Sequence, residues 1–402
     1  MLTAKCCVQP FDAQNLPKRS RLAILRSMPS LYARWMYNWE TQLTQVDNNR
    51  VVRPLEWGID WTREWPCRNG ALATTTPAEC EHFLREYNDR AVSHSDEFFS
   101  YAKPSDFRLE RREVEVFSTR DIPDPRLAGK VRGSYAEFLR FTSPVRTPFS
   151  ENNLANARWF PARGKSAVVL VPQWNSDALS HNSLCRILNR LGIAVLRLSM
   201  PYHDIRRPRE INRADYAVSA NIGRTLDATR QGVLDIRCCL DWLEQQGYER
   251  LGIVGTSLGS CYAFLAAAHD PRIEVAAFNH ASTYFADVVW HGQSTRHIRQ
   301  GLEPEITLNR LRGLWTAISP MSYFEQFSRF QRKSLIVYAK YDLTFLPEFS
   351  RQVVEEFERR GLDHKVAVLP CGHYSSGETP YKYIDGWYLA GFLGKTFKAL
   401  YR

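Results

Sequence analysis

From about Ser166 onward, short runs of consecutive apolar residues alternate with longer stretches in which apolar positions recur every three to four residues. The short runs are "SAVVLV" (166–171), "IAVLRL" (193–198), "LGIVG" (251–255), "IEVAAF" (273–278), "SLIVYA" (334–339) and "KVAVL" (365–369). They are β-branched and apolar on both faces, which predicts buried strands. Between them, "DALSHNSLCRILNRLG" (177–192) and "ANIGRTLDATRQGVLDIRCCLDWLEQQG" (220–247) have helical spacing and close on a Gly, the residue favoured just past a helix end. This alternation predicts a parallel sheet with helices on both faces. Upstream, "EFLRFTS" (137–143) and "NARWFPA" (156–162) predict an antiparallel pair leading into it. The expected architecture is α/β, with a mostly parallel eight-stranded sheet flanked by helices.

Two regions depart from the alternation. Residues 284–332, between two predicted core strands, are amphipathic and far longer than the ~12–15 residues of an ordinary connection, which predicts a helical cap over a site. Residues 1–133 read as a largely helical extension packed on a catalytic domain spanning 134–402. Its Trp residues fall four apart, at 35 and 39 and then at 57, 61 and 65, so each set shares a helix face. The acidic and polar residues between them favour packing on the core over an interfacial membrane anchor, although peripheral membrane contact stays open.

Charge and cysteine content narrow the partners. Lys and Arg number 53 against 43 Asp and Glu, a net charge of +10, but the basic residues are scattered and no arginine-rich run or base-stacking signature accompanies them. Nucleic acid is therefore not an expected partner. Nine cysteines lie at 6, 7, 67, 80, 185, 238, 239, 261 and 371 without any CxxC spacing, so neither a disulfide framework nor a zinc site is implied. The chain starts without a basic stretch followed by an apolar one, and no run approaches the ~18 apolar residues of a membrane span. The expected setting is the cytoplasm.

Gly255-Thr256-Ser257-Leu258-Gly259 matches G-x-S-x-G, a pattern that acquires meaning because a predicted strand precedes it and a predicted helix follows. A strand-to-helix turn tight enough to expose the serine crowds the positions two away on each side, and only small residues fit there. The helix N-terminus points its free N–H groups at the same place, where they can stabilise developing negative charge. A serine hydroxyl needs a base, and the base needs a carboxylate to hold its tautomer. In this motif the order is serine, acid, histidine. Asp342 follows "SLIVYAKY" and His373 follows "KVAVLPCG", each just past a strand's C-terminal end, the edge at which open α/β sheets bind ligands. Asp363 precedes the last strand and Asp385 lies in the terminal helix, so both read as solvated or capping residues. His280, His291 and His297 fall at the exit of the 273–278 strand and in the cap, where they can line a pocket.

For the oxyanion hole, the expected donors are the N–H of Leu258 and one from Gln173 or Trp174, in the loop after 166–171. Trp174 can also pack under the cap and wall an acyl pocket. The loop "MPYHDIRRPRE" brings Tyr202, His203, Arg206 and Arg207 to the same edge. They can bind an anionic group of the substrate, or form an exposed charge cluster that holds the loop. Arg224 and Arg230 carry the same ambiguity.

With G-T-S-L-G, "YAKYDLTFLP" and "LPCGHYSSG", residues 134–402 resemble the α/β-hydrolase superfamily. More narrowly, "RQGVLDIR", "GTSLGSCYAF", "YDLTFLP" and "PCGHY" resemble the uncharacterised group of the abhydrolase-domain-eighteen kind, related to dienelactone-hydrolase-like and acetyl-xylan-esterase-like enzymes. The resemblance implies Ser257 as nucleophile, Asp342 as acid and His373 as base. One departure concerns Pro172-Gln173-Trp174, which stands where many members have His-Gly. The expected activity is a serine hydrolase that uses no metal or cofactor and cleaves a carboxylic ester or thioester, with a small-molecule, partly apolar acyl substrate. The triad alone leaves an amide or peptide substrate open, as well as a binding or scaffold protein that kept the fold without turnover.

Overall fold

The computed structural model describes residues 31–46, 49–62, 76–114 and 133–401. The start of the chain with Cys6 and Cys7, and the positions of Trp65 and Cys67, lie outside the described residues.

Among the described residues nine strands form one sheet: β1 (Arg108–Glu113), β2 (Tyr135–Thr142), β3 (Leu154–Phe160), β4 (Ser166–Val171), β5 (Ile193–Ser199), β6 (Arg250–Thr256), β7 (Ile273–Asn279), β8 (Lys333–Ala339) and β9 (His364–Leu369). Their order is β1-β2-β3-β5-β4-β6-β7-β8-β9. The pairs β1–β2, β2–β3 and β3–β5 are antiparallel and the rest parallel. The six predicted core strands and the antiparallel pair all form. The extra strand, β1, lies inside the segment expected to be helical. Its sequence RLERRE carries one apolar residue, and its alternate positions are exposed, as befits a charged sheet edge.

The principal helices are α1 (Leu31–Gln45), α2 (Pro77–Ser93), α3 (Ser95–Phe98), α4 (Asn182–Arg190), α5 (Ile222–Gln245), α6 (Leu258–His269), α7 (Phe285–His291), α8 (Arg296–Leu302), α9 (Leu308–Leu314), α10 (Phe324–Ser328), α11 (Pro347–Arg359) and α12 (Tyr381–Leu400). Side-chain alternation in the central strands builds a core on each face. Ala167, Val169 and Val171 face α5, α6 and α11, whereas Val168 and Leu170 face α1, α4 and α12. Helix α5 is started by Asn221, whose side chain accepts from the N–H of Arg224 at 2.9 Å, an N-cap. Gly247 lies just beyond its end with φ +80.

The 284–332 insertion is helical, as expected, but it divides. Phe285, Val288 and Val289 of α7 face a cavity, while Phe324 and Phe327 of α10 lie 4.7 Å, ring to ring, from Phe264 of α6 and belong to the core. Of the N-terminal tryptophans, Trp39 lies against Tyr381, Trp61 stacks near Phe149, and Trp57 packs on the core. Trp35 stacks on Trp39 and stays 51% exposed. Among the described residues no helix is long and apolar enough to cross a membrane.

Strand order turns around at β4: the chain leaves it through α4 to β5 on one side, then crosses by α5 to β6 on the other. Such a switch point opens a crevice at the strands' C-terminal ends. The loops after β4 and β6 meet there.

Candidate active site

Ser257 sits between β6 and α6 with φ +57 and ψ −121, a strained conformation for a residue with a side chain. The two flanking glycines make the turn possible. A Cβ on Gly255 would lie 2.3 Å from the carbonyl oxygen of Gly259, and one on Gly259 would lie 2.3 Å from that of Val171. The N–H of Ser257 donates to the carbonyl of Asn279 at 2.7 Å, which pins the turn to the end of β7. Leu258 and Gly259 open α6, where N–H groups lack intrahelical partners.

The three residues predicted from strand-end positions come together. Ser257 Oγ is 3.0 Å from Nε2 of His373, and Nδ1 of His373 is 2.9 Å from Oδ2 of Asp342. With Nδ1–H donating to the carboxylate, Nε2 is left as acceptor for the serine hydroxyl, a tautomer assigned from the hydrogen-bond network. Asp342 is fully buried at the exit of β8, and its Oδ1 accepts from the N–H groups of Thr344 and Phe345, each at 2.7 Å. Phe345 stacks on the His373 ring, 5.4 Å between centroids.

A second histidine shares the acid. Nδ1 of His280, the residue after β7, donates to the same Oδ2 of Asp342 at 2.9 Å. It is buried with φ +57, and its Nε2 has no partner. His280 lines the cavity beside Ser257 as the sequence led one to expect, but its hydrogen bond to Asp342 was not legible there. Burial alone would raise Asp342, yet His373 and the hydrogen bond from His280 outweigh it and hold the carboxyl well below the ordinary range. Burial would likewise lower His373, but the Asp342 charge, with a smaller contribution from Glu40, raises it above the usual histidine value. His280 is lowered by burial and by its neighbour His373. Ligand atoms of His280, Asp342 and His373 lie within 4.8 Å of one another, so the same trio has the composition of a metal-binding group.

A cavity of about 1080 Å³ opens beside Ser257. One part of its wall is apolar, from Val218, Leu258, Phe285, Val288, Val289 and Phe345; another runs between α4 and α12, past Leu184 and Trp387. Gln173 and Trp174 line it too. The Trp174 ring lies parallel to that of His297, 5.9 Å away, and its Nε1 donates to the carbonyl of Ala214 at 2.9 Å. The ring thus packs against the 284–332 insertion, as expected. His291, by contrast, is exposed and lies near Phe349.

Three expected substrate contacts prove to be internal. Tyr202, His203 and Arg206 are buried and absent from the cavity wall. Arg206 pairs with Asp235 of α5 at 2.8 Å and donates to the carbonyls of Asn152 and Ser199. Tyr202 donates its N–H to the Asn152 side chain at 2.9 Å. Nε2 of His203 accepts from the N–H of Asn175 at 3.0 Å while its Nδ1 donates to Pro201. Burial lowers His203 to about 3, so it props the loop after β4 as a neutral ring. Arg224 and Arg230 are also buried; Arg224 lies over the Tyr216 ring and Arg230 donates to the carbonyl of Phe98.

Of the rival acids, Asp363 pairs at the surface with Lys333, as a solvated residue would. Asp385 is different: it lines the cavity, accepts from Asn279 Nδ2 at 2.9 Å, and is raised to about 7 by burial. It is neither solvated nor capping, because α12 lays it against the end of β7.

A mostly parallel sheet flanked by helices, with a strained strand-to-helix turn at the switch point and a helical insertion after β7, is the architecture of the α/β-hydrolase fold. The family model described as alpha/beta hydrolase domain containing 18 matches residues 177–304, which include Ser257. No curated protein sequence matches the chain. Among solved structures, acetyl xylan esterase from Paenibacillus sp. R4 is similar at 15% identity and TM-score 0.51, over 80% of this chain and 96% of that one. Acetyl xylan esterase 1 from Thermoanaerobacterium sp. JW/SL YS485 is similar at 15% identity and TM-score 0.50, over 84% and 99%. The chain spans 41% of the length of Pyrococcus horikoshii acylaminoacyl peptidase, at 11% identity and TM-score 0.46. At such identities the likeness concerns the fold.

Proposed function

We propose that this chain is a serine hydrolase that cleaves a carboxylic ester or thioester through an acyl-enzyme on Ser257. The observation that carries the reading is the unbroken chain of hydrogen bonds, 3.0 Å from Ser257 Oγ to His373 and 2.9 Å from His373 to Asp342, at the wall of a large cavity. In this mechanism His373 Nε2 takes the hydroxyl proton as Oγ attacks the acyl carbon. Asp342 stabilises the imidazolium that forms and does not itself take the proton. The N–H of Leu258, with that of Gln173 or Trp174, holds the oxyanion. His373 then returns the proton to the leaving group, and a water activated by the same imidazole releases the acid. The apolar wall from Val218 to Val289 favours a lipid-like acyl part.

A fluorophosphonate probe tests the reading. The native chain should be labelled at Ser257, Ser257→Ala should not, and a panel of esters, thioesters and amides graded by acyl length should give measurable turnover of the first two classes. A folded chain that neither labels nor turns over any of them is a scaffold and ends the proposal; amide turnover equal to ester turnover makes it a peptidase or amidase.

A further inference from the structure

Helix α1 sends one carboxylate into the interior beside the candidate base. Glu40 is fully buried, and its oxygens are taken up by one short turn. One oxygen accepts from the N–H of Tyr374 at 2.6 Å; the other accepts from the N–H of Ser375 at 3.0 Å and from its hydroxyl at 2.9 Å. The Ser375 hydroxyl in turn accepts from the N–H of Gly372 at 2.7 Å. Residues on both sides of His373 therefore hang on a single side chain. The fit is close: a Cβ on Gly372 would lie 2.3 Å from a Glu40 oxygen. Other side chains of the N-terminal segment grip the same turn. Tyr32 donates to the carbonyl of Pro370, Met36 sulfur contacts the Ser375 hydroxyl at 3.5 Å, and Arg50 donates to the Tyr374 hydroxyl at 3.1 Å.

The chemistry of these contacts is one-sided. Every partner donates, and the Ser375 oxygen already accepts from Gly372, so the contacts suit an ionised carboxylate, which is acceptor-only; burial works against them and raises the Glu40 carboxyl above its ordinary value, while the N–H groups of Tyr374 and Ser375 pull it back down. Without it, the buried N–H groups of Tyr374 and Ser375 would lose their partners, a costly state for backbone donors.

We infer that Glu40 is a positioning residue for His373, fixing the turn that carries the imidazole and placing a second negative charge behind it. Helix α1 then belongs to the site and is more than packing. The inference deepens the serine-hydrolase reading above and rests on it. The titratable and charged groups around His373 are Asp342 and His280 from the exits of β8 and β7, Glu40 from α1, and Tyr374 beside it, which holds Arg50. A negative charge among them favours the imidazolium, the form His373 takes when it holds the serine proton.

The test is an NMR titration of His373 in the full chain, with histidine labelled, for the native protein, Glu40→Gln and Glu40→Asp, together with kcat and KM on a short ester. Glu40→Gln should move the His373 midpoint down by about 0.5 pH or more and lower kcat about tenfold or more, with KM within about twofold. Glu40→Asp keeps the charge but shortens the reach, so its midpoint should stay near the native one while kcat still falls. An unchanged midpoint in folded Glu40→Gln overturns the inference. If Glu40→Gln does not fold, Glu40→Asp decides, and native kcat there overturns it. The titration needs no turnover, so a native chain inactive on every ester would count against the hydrolase reading and leave Glu40 to be judged by the midpoint.

Discussion

His280 and His373 donate through Nδ1 to the same oxygen of Asp342, each at 2.9 Å. The acid is thus held by a histidine that does not face the serine as well as by the one that does. Replacing His280 with Leu removes a donor to a buried carboxylate and should cost about 1–3 kcal/mol of stability, with about a tenfold loss of kcat. His280→Asn can present an N–H from nearly the same point and tolerates φ +57, so it should stay within a few-fold of native kcat. Urea unfolding and steady-state kinetics on the pair check this; equal losses in both variants would show that the shared donor is unimportant.

Asp342→Asn should leave the fold intact and lower kcat by about 10⁴, because the imidazole then takes the wrong tautomer. The pH dependence of the native chain follows from the same pair. His373 must be neutral to act as base, and it is raised above its ordinary value because Asp342 and Glu40 outweigh burial. The acid limb of kcat/KM should therefore have its midpoint above about 6.5. The corresponding stability term is present below the unfolded value and lost as pH rises through the folded one. An acid limb clearly below 6.5 would contradict the arrangement.

Two glycines should respond in opposite directions to the same change. Gly259→Ala drives a methyl group to 2.3 Å from the Val171 carbonyl and should destabilise by about 3 kcal/mol. Gly391, within α12, has nothing within 4 Å of an added Cβ, and Gly391→Ala should stabilise by about 0.5–1 kcal/mol. Thermal melts of the two variants distinguish them, and a Gly259→Ala protein as stable as the native chain would mean the turn is looser than described.

Asp385 should make stability fall with pH. Its carboxyl is raised to about 7 by burial, so the buried group favours folding in the protonated form. That contribution is complete below its unfolded value near 3.9 and is lost as pH rises through 7. Asp385→Asn, which removes the titration but can keep the Asn279 contact, should be more stable than native by about 1 kcal/mol or more at pH 8 and nearly equal at pH 4. Paired melts at the two pH values measure this, and a constant difference would place the titration elsewhere.

What the sequence made legible follows from how each residue finds its partners. Strands β4 to β8 are runs buried on both faces, so hydrophobicity alone outlines them; β9 was expected to be buried likewise, but as the last strand of the sheet it exposes Val366 and Val368. Ser257, Asp342 and His373 each follow such a run, so strand ends carried them to one edge. β1 was hidden because RLERRE joins the sheet by backbone bonding while exposing its charges. For Tyr202, His203 and Arg206 the sequence suggests an anion site or an exposed charge cluster, because charged loops usually face water. Here Asp235 on α5 and the carbonyls of Asn152 and Ser199 satisfy Arg206 inside. Glu40 gave no signal: its partners are backbone N–H groups more than 330 residues away, and no residue type marks them.

Asp342 receives four donors, two on each oxygen: the N–H groups of Thr344 and Phe345, and the rings of His280 and His373. A carboxylate has about four lone-pair directions, so none is left for water. On the proposed mechanism water has no direct access to the carboxylate, and a proton that His373 takes from Ser257 returns through Nε2 of His373 into the cavity. On that mechanism the timing of proton return would be tied to whatever occupies the cavity, acyl group, leaving group or incoming water.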